Sequence, residues 1–266
     1  MKTKANGIDM HHVVDGEGDR PWVVLAHSLA CDVEAWEQEA RRLSASYRVL
    51  RYDARGHGGT DATPGPYSLD LLADDLRGLL AALGIARMHF VGLSMGGMIG
   101  QAFALKYPDL LESLVLCDTT SRYPDSIRPE RQERIRMVRE HGMAAIVDRT
   151  IDRWVTPRFQ AERPGAMRRL KEMVLRTSVD GYVGCTVANM NVDFLDRLGD
   201  VRCPALVLVG DQDLPTPIAM AQAMHAAIAG SELIVLPGAP HLSNIEKPEE
   251  FNAALARFLE SVRPSV

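Results

Sequence analysis

The chain has 266 residues, 46% hydrophobic and 24% charged, with a formal net charge of −5. This suits a soluble globular protein of one large α/β domain or two small ones, and the acidic balance argues against nucleic acid as a partner. The polar start "MKTKANGIDMHHVVDGEGDR" reads as neither signal peptide nor membrane anchor, and Cys31, Cys117, Cys185 and Cys203 form no CxxC pair, so a reduced, cytoplasmic protein without a zinc or redox site is expected.

Strands are expected around 9–14 and 22–27, separated by the turn "DGEGDR". A helix around 34–45 follows, then the strand "YRVLRYD" at 47–53 and a loop rich in Gly and Pro from 55 to 66. The helix expected over 68–83 has apolar residues at 69, 72, 76, 79, 80 and 83 and stops at Gly84. Strand 88–91, helix 95–106 and strand 113–118 come next; strand 204–210, helix 217–229, strand 232–238 and helix 248–262 finish the chain. Alternating strands and helices imply an α/β fold, a mostly parallel central sheet flanked by helices.

Residues 122–197 break the alternation and read as helices over 128–140, 143–152, 163–175 and 179–190. The economical reading is a helical lid, 122–197, inserted into a core built from 1–121 and 198–266. Within 122–176, fourteen Arg or Lys face eight Asp or Glu, a balance of +6. A solvated helix face with i,i+4 pairs such as Glu130–Arg134 accounts for most of them. One or two turned inward would favour an anionic substrate.

The stretch "HFVGLSMGGMIGQ", residues 89–101, sets Ser94 between a strand and a helix in the pattern G-x-S-x-G. Glycines two before and two after let backbones approach closely, as a nucleophile elbow requires. The plainer alternative is a glycine-rich turn whose serine caps the helix. A serine hydroxyl needs a base, a group to orient that base, and donors for the oxyanion. In an open α/β sheet these come from loops at the carboxyl ends of strands. Of eight histidines, His241 in "LPGAPHLSNIEKPEE" directly follows the last expected strand and fits the order Ser…acid…His. For the acid, "VGDQDLPTP" offers Asp213, with Asp211 read as capping the turn; Asp118, ending "LVLCD", competes. Backbone N–H groups of Met95, after the serine, and Leu29, in "VVLAHSLACD", are the expected oxyanion hole.

Together these pieces resemble the α/β-hydrolase superfamily over essentially the whole chain. "HSLACD", "RYDARGHGGTDATPGPYSLDLLADDL", "GLSMGGMIGQ", "RWVTPRF" and "PHLSNIEKP" carry a closer resemblance to 3-oxoadipate enol-lactonases. The resemblance implies an α/β-hydrolase fold and hydrolysis of a small anionic enol-lactone in aromatic-compound breakdown, the β-ketoadipate pathway, with no metal or organic cofactor. His27, Ser28 and Trp154 are candidate substrate-binding residues, although His27 equally follows the wider superfamily's preference at its position and Trp154 equally suits packing of the lid onto the body. The chain departs from the family pattern in the oxyanion loop, with His27 and Ala30 where Asn and Gly are common. A general carboxylesterase or an acyl-homoserine lactone hydrolase would use the same three residues. So would a perhydrolase or carbon–carbon bond hydrolase, whereas a dehalogenase or epoxide hydrolase would want Asp at the elbow. A non-catalytic receptor on this fold is the remaining alternative. The expected partner is a small ester or lactone, with neither membrane nor nucleic acid involved.

Overall fold

Short runs rich in Val and Leu form strands buried on both faces, and the longer 3.6-residue patterns form the helices that cover them. In the computed structural model, which describes residues 1–263, eight strands make one sheet. They are β1 (Lys2–Ala5), β2 (Ile8–Asp15), β3 (Trp22–Ala26), β4 (Arg48–Tyr52), β5 (Met88–Leu93), β6 (Leu111–Cys117), β7 (Ala205–Gly210) and β8 (Glu232–Leu236). Their spatial order is β1-β2-β4-β3-β5-β6-β7-β8. Only β1–β2 and β2–β4 pair antiparallel; every other pairing is parallel. Phe90 of β5 sits opposite Val24 of β3 and Leu114 of β6, and every residue of β5 and β7 is buried, so the sheet's centre is the core.

The expectation of a mostly parallel sheet flanked by helices therefore holds. Helices α1 (Glu37–Leu43), α2 (Leu69–Ala82) and α3 (Met95–Lys106) lie before β6 in the chain. Between β6 and β7 come α4 (Arg128–His141), α5 (Val147–Trp154), α6 (Pro157–Glu162), α7 (Pro164–Arg176) and α8 (Val179–Met190). After β7 follow α9 (Ile218–Ala227), α10 (Ser243–Glu246) and α11 (Pro248–Ser261). Side-chain caps set several starts: Ser68 Oγ accepts from Leu71 N at the head of α2, and Ser178 Oγ from Gly181 N at the head of α8. Among the described residues no helix is long and apolar enough to cross a membrane.

β1, α6 and α10 go beyond the sequence reading. β1 forms a hairpin with β2 through Asn6 (φ 46°) and Gly7 (φ 83°), an Asn-Gly turn whose twist matches the strands. The short α6 starts at Pro157, capped by Thr156 Oγ1, which accepts from Phe159 N.

The expected Glu130–Arg134 pair does not form. Arg134, Ile135 and Val138 make the buried face of α4, whereas Glu130 pairs with Arg153 of α5. Burial of one α4 face turned Arg134 away from its helical neighbour. Solvated pairs of the expected kind do occur elsewhere, as at Arg136–Glu140 and Arg158–Glu162.

Three backbone N–H bonds help tie the α4–α8 segment to the rest of the chain, besides the Arg176–Asp32 ion pair. Leu242 N donates to Trp154 O at 3.0 Å, Ser178 N to Gly56 O at 3.0 Å, and Thr156 N to Glu246 Oε2 at 2.9 Å.

Candidate active site

Ser94 has φ 53° and ψ −112°, a backbone conformation disfavoured for a residue with a Cβ, at the junction of β5 and α3. The flanking glycines make the turn possible. A Cβ on Gly92 would lie 2.4 Å from the Gly96 carbonyl carbon, and one on Gly96 would lie 2.1 Å from Ala26 O. The apex is held by Ser94 N donating to Cys117 O (2.9 Å) and Thr119 Oγ1 donating to Ser94 O (2.6 Å). No side-chain cap bond from Ser94 is present, so its hydroxyl is not spent on the helix.

That hydroxyl lies 3.0 Å from His241 Nε2. His241 Nδ1 is 3.0 Å from both carboxylate oxygens of Asp213. Because an ionised carboxylate only accepts, Nδ1 carries the imidazole hydrogen and Nε2 is free to accept from Ser94. Asp213 is fixed in turn by Thr216, which donates from its N (2.9 Å) and its Oγ1 (2.6 Å). The arrangement can move a proton from the hydroxyl to the imidazole with the carboxylate steadying the resulting cation. It spans 147 residues of sequence between Ser94 and His241.

The competing acid is otherwise engaged. Asp118 is fully buried, with Oδ1 accepting from Gly210 N at 2.8 Å and Oδ2 from Ser243 Oγ. Burial, then the nearby Asp213 charge, pushes its carboxyl well above the usual range. Asp211 accepts from Gly238 N at 2.7 Å, the turn role expected of it.

Ser28, Leu29, Ser94, Trp154, Arg134 and His241 are among the residues that line a tight pocket of about 40 Å³. Met95 is the first residue of α3, so its N–H has no partner within the helix. Among the described residues the Leu29 N–H donates to nothing in the protein. Trp154 is buried, lines the pocket, and carries the carbonyl that Leu242 N bonds, so wall and anchor coincide in one residue.

His27 does not line the pocket. Its Nδ1–H donates to Ser28 O at 2.7 Å and its Nε2 accepts from Ala54 N at 2.9 Å, so both ring nitrogens are committed to backbone. The expected substrate contact is thus corrected: a 2% exposed imidazole with both nitrogens engaged has nothing left to offer a ligand.

Three arginines of the helical segment face the pocket: Arg131, Arg134 and Arg153. Arg153 is paired with Glu130. Burial still lowers its guanidinium from the ordinary value against the pull of Glu130, and the Arg131 and Arg134 charges add to the lowering. Arg131 sits over the Tyr123 ring, 5.5 Å from its centroid. Arg134 is 5% exposed and has only neutral partners, donating from Nε to Tyr182 Oη (3.0 Å) and from Nη2 to Thr150 Oγ1 (2.7 Å). Among the described residues no carboxylate pairs with it. Asn189 Oδ1, also at the pocket, is buried without a partner. Sequence periodicity marked Arg134 as polar and hence solvent-facing; only its i,i+1 and i,i+4 apolar neighbours, Ile135 and Val138, hinted otherwise. Among the described residues no cluster of three or more metal-ligating side chains is present.

Comparison with known proteins shows the family. A family model described as "alpha/beta hydrolase fold" matches residues 21–248. The chain is 33% identical over 256 residues to 3-oxoadipate enol-lactonase 2 of Acinetobacter baylyi, covering 96% of this chain and 95% of that protein. A Shigella flexneri protein named "Putative carbamate hydrolase RutD" is 31% identical over 256 residues, covering 92% of this chain and 93% of that one. The crystal structure of the enol-lactonase from Burkholderia xenovorans LB400 superposes with a TM-score of 0.93 at 35% identity, covering 98% of this chain and all of that one (100%).

Proposed function

The chain belongs to the α/β-hydrolase family and is an ester or lactone hydrolase; from that premise we propose that it opens a small anionic lactone, 3-oxoadipate enol-lactone, through an acyl-enzyme on Ser94. Ser94 Oγ attacks the lactone carbonyl as its proton passes to His241 Nε2, and Asp213 holds the imidazole and stabilises its cation. The Leu29 and Met95 N–H groups receive the oxyanion, a donation typically contributing about 3–4 kcal/mol per lost donor. Collapse breaks the ring C–O bond, and the enol oxygen takes the proton from His241. The enol remains on the acyl chain and can ketonise. Water then gives a proton to His241, attacks the ester carbon and releases the acid, returning the proton to Ser94. No metal or organic cofactor takes part. The helical segment acts as a lid, with Ser28 and Trp154 in the pocket wall. The four cysteines, all free, support a reducing compartment such as the cytoplasm.

The observation that carries the substrate reading is Arg134. A buried guanidinium lining the same pocket as Ser94, bonded only to neutral hydroxyls, calls for an anion, and Arg presents a fork that matches a carboxylate. The similarity to enol-lactonases supports the same choice. The test is turnover of freshly generated 3-oxoadipate enol-lactone, a neutral aryl acetate, an acyl-homoserine lactone and a simple carbamate, with wild type and Ser94→Ala. Enol-lactone opening far above the others, and lost in Ser94→Ala, is the expected result. Weak enol-lactone turnover beside good activity on another substrate would discard the substrate. Intact activity in Ser94→Ala would discard the mechanism.

A further inference from the structure

The loop that carries Leu29 is short and conformationally costly. Cys31 N donates to Ser28 O at 3.0 Å to close a turn, and Ala30 at its tip has φ 62°, a left-handed conformation disfavoured for a residue with a Cβ. Something outside the turn has to hold it there. Two imidazoles do, with ring centroids 5.2 Å apart. His27 Nδ1–H donates to Ser28 O at 2.7 Å, and Ala30 N donates to His57 Nε2 at 3.1 Å. The two bonds fall on consecutive peptide units.

Peptide planarity gives those bonds a consequence. The Ser28 carbonyl and the Leu29 N–H belong to one rigid trans unit and point in opposite directions. Fixing the carbonyl from below, through His27 Nδ1–H and Cys31 N–H, aims the Leu29 N–H the other way, at the pocket it helps to line. Two donors on that carbonyl also polarise the amide and strengthen its N–H as a donor. On the next unit, His57 takes up the Ala30 N–H and blocks rotation of the tip.

The hydrogen-bond partners of both imidazoles fix the tautomer that works. His27 Nε2 accepts from Ala54 N at 2.9 Å, which leaves the hydrogen on Nδ1. His57 Nδ1 lies 3.1 Å from Arg55 O, a pure acceptor, so Nε2 is free to accept from Ala30. Burial, then the neighbouring His27, holds the His57 imidazole down to about 3, so it stays neutral across the ordinary pH range. The Arg55 backbone is itself steadied by its buried side-chain pair with Asp75.

We infer that His27 and His57 are positioning residues that set the direction of the Leu29 N–H, and so govern transition-state stabilisation without touching the substrate. This rests on the reading of Leu29 as an oxyanion donor to a Ser94 adduct. Two variants of His57 separate orientation from folding. His57→Gln places a side-chain amide near the Nε2 position and can still accept from Ala30 N. His57→Asn reaches only the Nδ1 position, keeping a donor for Arg55 O and losing the Ala30 bond.

The readouts are kcat and KM on a neutral aryl acetate, and the affinity of a small alkylboronic acid, which adds to the serine as a tetrahedral anion. Loss of a whole oxyanion donor lowers kcat by about 10²–10³-fold, so partial misalignment in His57→Asn is expected to lower it about 10- to 100-fold. KM should stay within about twofold, boronate affinity should fall with kcat, and His57→Gln should restore most of both. Equal effects of the two variants, a reversed order, or a kcat loss with unchanged boronate affinity would overturn the proposal. So would failure of both variants to fold, which would assign His57 to stability alone. Ser94→Ala, run alongside, reports on the underlying mechanism: if it stayed active, the failure would lie there and not with the histidines.

Discussion

Replacing Arg134 with Gln separates what a buried charge does for the empty protein from what it does for a ligand. In the free protein the guanidinium is 5% exposed and bonded to two neutral hydroxyls, with no carboxylate partner among the described residues. Holding an ion in such a place costs several kcal/mol of desolvation even after relaxation. Gln removes the charge, keeps the stem and can still bond one hydroxyl; the other loses its partner at about 1–3 kcal/mol. The ligand-free variant should therefore be as stable as wild type or more so, by up to about 3 kcal/mol. That corresponds to a melting shift of about 2–4 °C per kcal/mol for a chain of this size. Catalysis on the anionic lactone should move the other way. Removing one partner of a buried charge pair costs about 2–5 kcal/mol, or roughly 30- to 5,000-fold in kcat/KM. The neutral aryl acetate should change by less than about threefold, since it offers that charge nothing. Thermal melts without ligand and kcat/KM on both substrates make the test. A lower melting temperature, or equal losses on the charged and neutral substrates, would show that Arg134 is structural and that the pocket does not select an anion.

Three other outcomes follow from particular contacts. Asp213→Asn should lower kcat by about 10⁴-fold by offering His241 the wrong hydrogen, whereas Asp118→Asn should stay within about tenfold; steady-state kinetics on one ester distinguishes the two carboxylates. Glu39 is buried against Asn244 and Asn252, and burial raises its carboxyl from 4.5 to about 7. A raised carboxyl binds its proton more tightly in the folded state, so its contribution is fully present below pH 4.5 and is lost as pH rises through about 7. Denaturant melts should show Glu39→Gln more stable than wild type at pH 8, by about 1–3 kcal/mol, with the difference vanishing near pH 4. Gly92→Ala would set a Cβ 2.4 Å from backbone atoms of Gly96 and should destabilise the protein by about 3 kcal/mol or more, read by the same melts.

Local grammar made much of this architecture readable. The alternation of Val-rich runs with amphipathic helices is enough to specify a parallel sheet with helices on both faces, because a strand buried on both sides needs both covered. The two glycines around Ser94 encode a turn that no other residue could make, since a Cβ would strike backbone. The order Ser94, Asp213, His241 likewise follows from loops at the same end of a parallel sheet, where residues 147 apart in sequence come within 3.0 Å. The Asn6-Gly7 hairpin was equally local; its signal was outweighed by the polar strand Lys2–Ala5, which has too few apolar residues to show a period.

What the sequence by itself determined, then, is the fold and the residues with which its loops meet the sheet, because both follow from periodicity and backbone sterics over a few residues. Only the tertiary structure decided what faces what. Arg134 could pair along its own helix or turn inward, and the choice was made by packing against Tyr182, 48 residues away. His27 read as a candidate for substrate binding until folding set its Nε2 against the Ala54 N–H, as it set His57 Nε2 against the Ala30 N–H, each 27 residues away. Polar side chains carry no periodic signature for their partners: a hydrogen bond is fixed by distance and angle within about half an ångström, and that is settled only when distant segments close around it.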